Sequence, residues 1–441
     1  MFDVTTSGAV GAPMLTGFGG TSWVCTQITN SGGNNLIAVN GIDDGIIYKN
    51  SGVARLTLGD GIVANTWAGI DPKNASQAIV HQHRLWVVQK NTSAGWFLPP
   101  DAIQGTFLKY DFGPLFNMGG YLQFLATWTI DDGNGSEDHL VGLSSNGEAV
   151  VYAGTDPTDS TKWSLVGVYY IGAPVSGRVG FCKAGGDLLA LTQQGVVSMA
   201  SELVSTKVNQ AQNPLTSSKI QYLISNAIAT YSSYAGWDIR YFPKINMLLV
   251  NVPSIVSGGT TQFAANQLTN AWTTFNGMDA SSWGTYSLNP MFGTYDGRVM
   301  SAWTGSLDSV TMAGSGGTAI QSEVQQAYTY FGHASTQKQV GMYQPVMVGN
   351  YAVAVSTEIE YDFASTTLDA PTAINPNSGS TLWNYSLWNT ASWVGGSSVQ
   401  KPWFGAEGMG IAASLKMMTQ SSGDVLWVAT NYNLVNGKGV L

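Results

Sequence analysis

The sequence predicts a mainly β chain: a β-propeller of about five to seven blades, with a short helical insertion and a C-terminal β-rich domain. Three observations carry this. Short apolar runs alternate with Gly, Asn or Asp turns. These hairpins recur at a spacing near that of propeller blades. The composition is rich in glycine and aromatics and poor in charge. The 441 residues hold 53 Gly, 15 Trp, 19 Tyr and 15 Phe, against 18 Lys plus Arg and 27 Asp plus Glu. At 10% charged, the chain falls well below the roughly 25% of an ordinary soluble domain. A hydrophobic content of 44% suffices for a large core and excludes intrinsic disorder. The glycines have no three-residue period, which excludes a collagen-like chain. No apolar run approaches the ~18 residues of a membrane helix. A net charge of −9 argues against a basic nucleic-acid-binding surface.

Along the chain, Met1–Gly8 has neither a basic segment nor a continuous apolar core, so no secretory signal is expected. Cys25 and Cys182 are far apart, and two buried thiols are expected in preference to a disulfide. Residues 1–30 are assigned to an arm, or to strands joining the C-terminal domain. Propeller hairpins follow over residues 31–310. They include Leu36–Val39 with Gly45–Tyr48, Leu140–Leu143 with Ala149–Tyr152, Asp187–Leu191 with Gly195–Val197, and Met291–Met300. Glycine and asparagine suit the connecting turns because they accept positive φ. Unit starts at Leu36, Ile79, His139, Gly186, Ile239 and Met291 lie 43 to 60 residues apart, near the ~40–50 of propeller blades. A string of hairpins forming two sandwiches is the competing architecture.

The insertion spans residues 199–235. Within it Ile220, Leu223, Ile224, Ala227, Ile228 and Tyr231 fall on one helical face, with Thr216 or Ser217 as N-cap and Gly236 beyond the end. That face packs either on its own propeller or on a neighbouring subunit. Residues 311–344 are assigned to a junction. The alternating segment 344–363 opens a separate C-terminal β domain over 345–441.

Chemical motifs are sparse. His81 and His83 are two apart on a predicted strand, a spacing that puts both on one face for a metal; a structural pair is the simpler expectation. The acidic loop 131–138 offers Asp132, Asn134 and Asp138 to a hard cation such as Ca²⁺, or is a solvated hairpin tip. There is no Asp-box, GxSxG, phosphate loop or dinucleotide fingerprint. No catalytic residue, resident metal or cofactor is expected, and an enzyme is not. Glu358, Glu360 and Asp362 alternate along one predicted strand face.

Several segments resemble a known family. They are Trp128–Gly135, Ser144–Pro157, Ala184–Thr192, Tyr328–Gly332, Tyr361–Phe363 and the Trp383, Trp388 and Trp393 region. Over roughly residues 75–440 the chain resembles the tail nozzle or hub proteins of short-tailed bacteriophages, also called packaged-DNA stabilisation proteins. The resemblance implies a propeller joined to a β-rich, tube-forming domain and assembled as a ring, usually of six copies. It implies portal and adaptor proteins above, tail fibres or spikes at the side, and transient contact with passing DNA. The chain would be made in the host cytoplasm and reside in the virion, without inserting in a membrane itself. In this setting Glu358, Glu360 and Asp362 are candidate channel-lining residues, repelling phosphate. Ile220, Leu223, Ile224, Ile228 and Tyr231 are candidates for a subunit interface. A carbohydrate- or receptor-binding propeller and a divergent propeller glycosidase are the alternatives.

Overall fold

The computed structural model describes residues 1–5, 8–131, 136–177, 179–201, 216–253, 260–305, 307–308, 317–349, 353–373, 398–421 and 423–440. The chain forms two compact units, Met1–Ala302 and Trp303–Leu441.

Among the described residues, six successive sheets make up the first unit. Blade 1 contains β1 (Val24–Asn30), β2 (Gly33–Val39), β3 (Gly45–Lys49) and β4 (Gly52–Leu58), with β5 (Thr66–Ala68) alongside β4 in parallel. Blade 2 contains β6 (Ala75–His81), β7 (Arg84–Gln89) and β8 (Ala94–Phe97). The chain then returns through β9 (Gly105–Thr106) to pair with β5, and β10 (Leu108–Asp111) completes blade 2. Blade 3 is β11 (Leu122–Asp131), β12 (Ser136–Ser144), β13 (Glu148–Gly154) and β14 (Trp163–Tyr170). Blade 4 is β15 (Phe181–Ala184), β16 (Asp187–Thr192) and β17 (Gly195–Ser198), followed by helix α1 (Gln221–Tyr231). Blade 5 is β18 (Asp238–Phe242), β19 (Met247–Val252), β20 (Thr261–Asn266) and β21 (Ala271–Asn276). Blade 6 is β22 (Ala280–Tyr286), β23 (Asn289–Thr294) and β24 (Val299–Ser301).

The sheets follow one another as propeller blades because each central strand is apolar on both faces. Successive side chains of a strand point to opposite sides, and here both sides are buried. On β7, Leu85 and Val87 join the core shared with blade 1, while Trp86 and Val88 join the core shared with blade 3. On β16, Leu188 and Ala190 face blade 3, and Leu189 and Leu191 face blade 5. On β19, Leu248 and Val250 face blade 4, and Met247 and Leu249 face blade 6. Such strands read as continuous apolar runs rather than alternating ones, and a chain of this kind has few positions for charge. Each of the six predicted unit starts falls in, or immediately before, a strand of a different sheet. The Ser145-Asn146-Gly147 turn requires its glycine: Gly147 has φ +97°, and a Cβ there would run into the Gly172 main chain.

The second unit is a two-layer β sandwich. One sheet has the order β25-β26-β32-β28-β29, from β25 (Leu307–Asp308), β26 (Thr318–Gln325), β28 (Ala354–Tyr361), β29 (Thr372–Ala373) and β32 (Ala413–Ser421). The other is centred on β27 (Thr336–Gly349). It pairs with β30 (Ser398–Gln400) and β31 (Phe404–Gly405) on one side and with β33 (Val425–Val440) on the other. Val340, Tyr343 and Met347 of β27 meet Val355 and Ile359 of β28 and Leu415 and Met417 of β32 between the layers.

Two expected boundaries are corrected. β1 is the first strand of blade 1, pairing with β2 from Val24↔Val39 to Asn30↔Gly33. The preceding arm docks on the same blade, where the N–H groups of Gly19 and Gly20 donate to Asp43. It therefore does not join the C-terminal unit. Residues 311–344 are not merely a junction: β26 pairs along Gln325↔Lys416 to Ile320↔Ser421, inside a C-terminal sheet.

Candidate functional site

The residues singled out in the sequence fall at four separate places. The His81 and His83 pair is split by a hairpin turn. His81 ends β6, while Gln82 and His83, at φ +48° and +58°, form the two-residue connection to β7. Two left-handed residues in succession are what a tight hairpin uses. His83 is exposed beside Asp101 at 3.5 Å. His81 is 2% exposed, with Nδ1 3.3 Å from Thr127 Oγ1 and Nε2 without a hydrogen-bond partner. The two rings do not share a face. Among the described residues no three His, Cys, Asp or Glu side chains gather as a metal site.

Of the acidic loop, Asp132 and Asn134 lie outside the described residues. Asp138 pairs with Thr129 across β11 and β12 and accepts the Thr129 hydroxyl at 2.6 Å. The cysteines are unbridged, but Cys25 is exposed, contrary to the expectation of two buried thiols. Burial pushes the Cys182 thiol up to about 12.

The helical insertion packs on its own propeller. Ile224 and Ile228 are buried in the core between blades 4 and 5, with Ile220, Ala227 and Tyr231 against it. Backbone bonds fix the approach: Thr216 N–H donates to Val196 O at 2.9 Å, and Val196 N–H to Ser217 Oγ at 3.1 Å. Trp237 Nε1 closes the far end on Tyr231 O at 2.9 Å. Four of the five residues expected at a subunit interface are thus occupied within the chain. Leu223, with its neighbour Tyr222, is exposed.

The carboxylates expected to line a channel are corrected in part. Glu358 and Glu360 do share a face of β28, opposite the core residue Ile359. Glu360, however, is 2% exposed. It accepts hydrogen bonds from Gln325 (2.5 Å), Tyr328 (3.0 Å) and the Thr366 N–H (2.9 Å), with Lys416 Nζ 3.8 Å away. Burial opposes its ionisation, but the Thr366 and Tyr328 hydrogen bonds and the Lys416 charge together hold the carboxyl below its ordinary value. Asp362 lies past the end of β28 in a left-handed turn at φ +50°, capping the N–H groups of Ile411 and Ala412 at 2.8 and 3.0 Å. Glu358 is half-buried and accepts from Thr366 Oγ1 at 2.7 Å. Lys416 reaches the exposed Glu323 at 2.9 Å. Among the described residues the outer face of this sheet therefore carries Glu323 and Glu358, with the buried Glu360 beneath them, against the one cation Lys416, a local acidic surplus.

Sequence inspection missed a cleft of about 220 Å³ where β1, β6 and β11 begin. Ser22, Asn40, Ser76, Lys90, Tyr121 and Gln123 contribute to its lining, which is mainly hydroxyl and amide. Gln77, also in the lining, bonds both main-chain groups of Leu125 through its amide, at 3.0 Å to the O and 2.6 Å from the N–H. No motif marks these residues, since they come from three blades.

No family model matches this sequence, and no curated protein does. Solved structures do resemble it. The type-IX secretion component PorZ of Porphyromonas gingivalis aligns at 12% identity and TM-score 0.38, over 87% of this chain and 51% of PorZ. A putative 6-phosphogluconolactonase from Bacteroides fragilis aligns at 10% and 0.36, over 64% and 93%. The Aleuria aurantia lectin aligns at 12% and 0.32, over 64% and 90%. The chain spans about half the length of the PorZ structure, and likeness at these scores assigns neither activity nor partner. The topology itself defines the class: a β-propeller protein with a C-terminal β unit.

Proposed function

We propose that this chain is a non-enzymatic structural protein of a bacteriophage tail. It acts as a nozzle or hub whose copies, six in number, form a ring below the portal and adaptor and retain packaged DNA. The observation that carries it is the make-up of the C-terminal sandwich. One outer face presents Glu323 and Glu358, with Glu360 buried beneath them and Lys416 as counter-charge, and the other has no charge along β33 from Val425 to Val435. An acidic wall repels phosphate and lets DNA pass without adhering. An uncharged, partly apolar face suits contacts between subunits, whose cores are depleted in charge. Fibres or spikes would attach to the ring, which resides in the virion. Electron micrographs of the parent particle, labelled with an antibody to this chain, test the assignment. Label is expected at the tail vertex alone; label absent from particles, or spread over the shell, overturns it.

A carbohydrate-binding propeller is the second reading, supported by the hydroxyl- and amide-lined cleft. Glycan-array binding that disappears in Gln123→Ala would favour it. A glycosidase needs two opposed carboxylates, and the described lining of that cleft supplies none.

A further inference from the structure

The cleft where β1, β6 and β11 begin is shaped by two breaks in strand register. On β6 the pairing with β7 passes from Ala75↔Gln89 to Gln77↔Val88, which leaves Ser76 as an extra residue. On β11 the pairing with β12 passes from Leu122↔Ser144 to Phe124↔Leu143, which leaves Gln123 extra. Such bulges bend a strand and re-aim a side chain, and they concentrate beside active sites. Both extra residues line the cleft. Two neighbouring blades thus carry the same irregularity near the start of their first strands, and both instances open onto one cavity.

The main chain around it is pinned. Tyr121 N–H donates to Ser145 Oγ at 3.1 Å, and Tyr121 O accepts from Ser145 N–H at 2.8 Å. Lys90 N–H donates to Asn74 O at 2.8 Å, and Leu122 N–H to Thr92 O at 2.9 Å. Gly41, at φ +71°, admits the Lys90 chain; a Cβ there would sit 3.4 Å from Lys90 Cδ. Walls ordered in advance spare a ligand the entropy of ordering them. Polar side chains are left over all the same. Among the described residues the amides of Asn91 and Gln123 and the Tyr121 hydroxyl make no hydrogen bond. Lys90 Nζ meets Gly41 O at 3.4 Å, and an ammonium has further hydrogens to give. Lys90 is the one charged side chain of the described lining, in a chain of net charge −9. The cleft is a local positive site on an acidic protein.

We propose that this cleft binds one sugar ring bearing a carboxylate, the chemistry of a uronic acid. The inference rests on the carbohydrate reading above and names the ligand class it takes. Lys90 meets the carboxylate. The Asn91 and Gln123 amides each offer donors and an acceptor, as ring hydroxyls require, and Leu122 and Phe124 add apolar surface. At about 220 Å³ the cleft is smaller than the roughly 300–1,000 Å³ of sites for drug-sized ligands, a fit for one ring rather than a nucleotide. Phosphate is the poorer match. It is held by helix N-termini or paired guanidinium bonds, and the described lining supplies one ammonium and no arginine.

The test is isothermal titration calorimetry of the full chain with methyl β-D-glucuronide, methyl β-D-glucoside, sodium acetate and inorganic phosphate. The glucuronide is expected to bind about ten-fold tighter than the other three. Lys90→Met is expected to abolish that preference with an unchanged melting transition. Equal binding of glucuronide and glucoside overturns the acidic ligand but leaves the carbohydrate reading standing. Acetate or phosphate bound as tightly as the glucuronide overturns the sugar. No binding of any of the four overturns the inference, and a blank glycan array overturns the carbohydrate reading with it. If Lys90→Met fails to fold, the neutral glucuronamide glycoside on the wild type decides. A loss of about ten-fold relative to the glucuronide supports the proposal, and equal affinity overturns it. Free D-glucuronate, titrated alongside, separates the sources: tighter binding of the glycoside supports the end of a glycan, and tighter binding of the free acid supports a soluble uronate.

Discussion

His81 is held neutral between blades 2 and 3, 6.1 Å from the Trp163 ring and with one ring nitrogen unpartnered. Burial, the largest influence, lowers its pKa from 6.5 to about 4. The unfolded chain therefore takes up a proton below pH 6.5 that the folded chain refuses until about pH 4. Stability is full above pH 6.5 and falls as the pH drops through that window. The expected loss between pH 7 and 5 is about 2 kcal/mol, read as a shift in the urea midpoint. His81→Gln is expected to flatten the slope, and an unchanged slope would refute the assignment. Gln77 makes a second joint between the same blades. Gln77→Ala leaves the buried N–H and C=O of Leu125 unpaired, with an expected loss of about 2 kcal/mol. In the C-terminal unit Lys338 is 1% exposed and donates its ammonium hydrogens to the carbonyls of His333, Thr336 and Ile411. A buried cation here is paid for by main-chain oxygen, with no carboxylate among these partners.

At the scale of elements, α1 offers a clean separation. Ile224→Ala and Ile228→Ala each remove buried side chains from the core between blades 4 and 5 and are expected to cost about 2–4 kcal/mol. Leu223→Ser, on the exposed side, is expected to stay within about 0.5 kcal/mol. Equal effects at all three positions in chemical denaturation would mean that the helix is not seated as described. The helix was legible because its 3.6-residue pattern stands alone among two-residue patterns and hairpin turns. Most blade hairpins were legible for a related reason: strands buried on both faces are continuous apolar runs, and their turns demand Gly or Asn. β26 was harder to see, because Gln321, Ser322, Glu323 and Gln325 make a polar strand whose place comes from β32, nearly a hundred residues away. The same limit applied to Glu360. Its alternation with Glu358 was visible, but its burial depends on Tyr328, Thr366 and Lys416, which the sequence does not bring together. The turn at Gln82 and His83 carries neither Gly nor Asn, so a hairpin there read as unbroken strand.

For the whole molecule, scarcity of charge has two sources. Much of it belongs to the propeller, where five inter-blade cores bury both faces of the central strands. Elsewhere the chain has long uncharged runs, among them residues 370–400 and the strand segment Val425–Val435. The acidic surplus is spread over both units, and one face of the sandwich carries part of it at Glu323 and Glu358, with Glu360 buried among its hydrogen-bonding neighbours. A ring built on these surfaces has a definite mass. Sedimentation equilibrium of the purified full chain measures it most directly. A species of about six times the 46.7 kDa chain, in a closed cyclic assembly, is the expected result; a single 46.7 kDa species persisting throughout the micromolar range would contradict it.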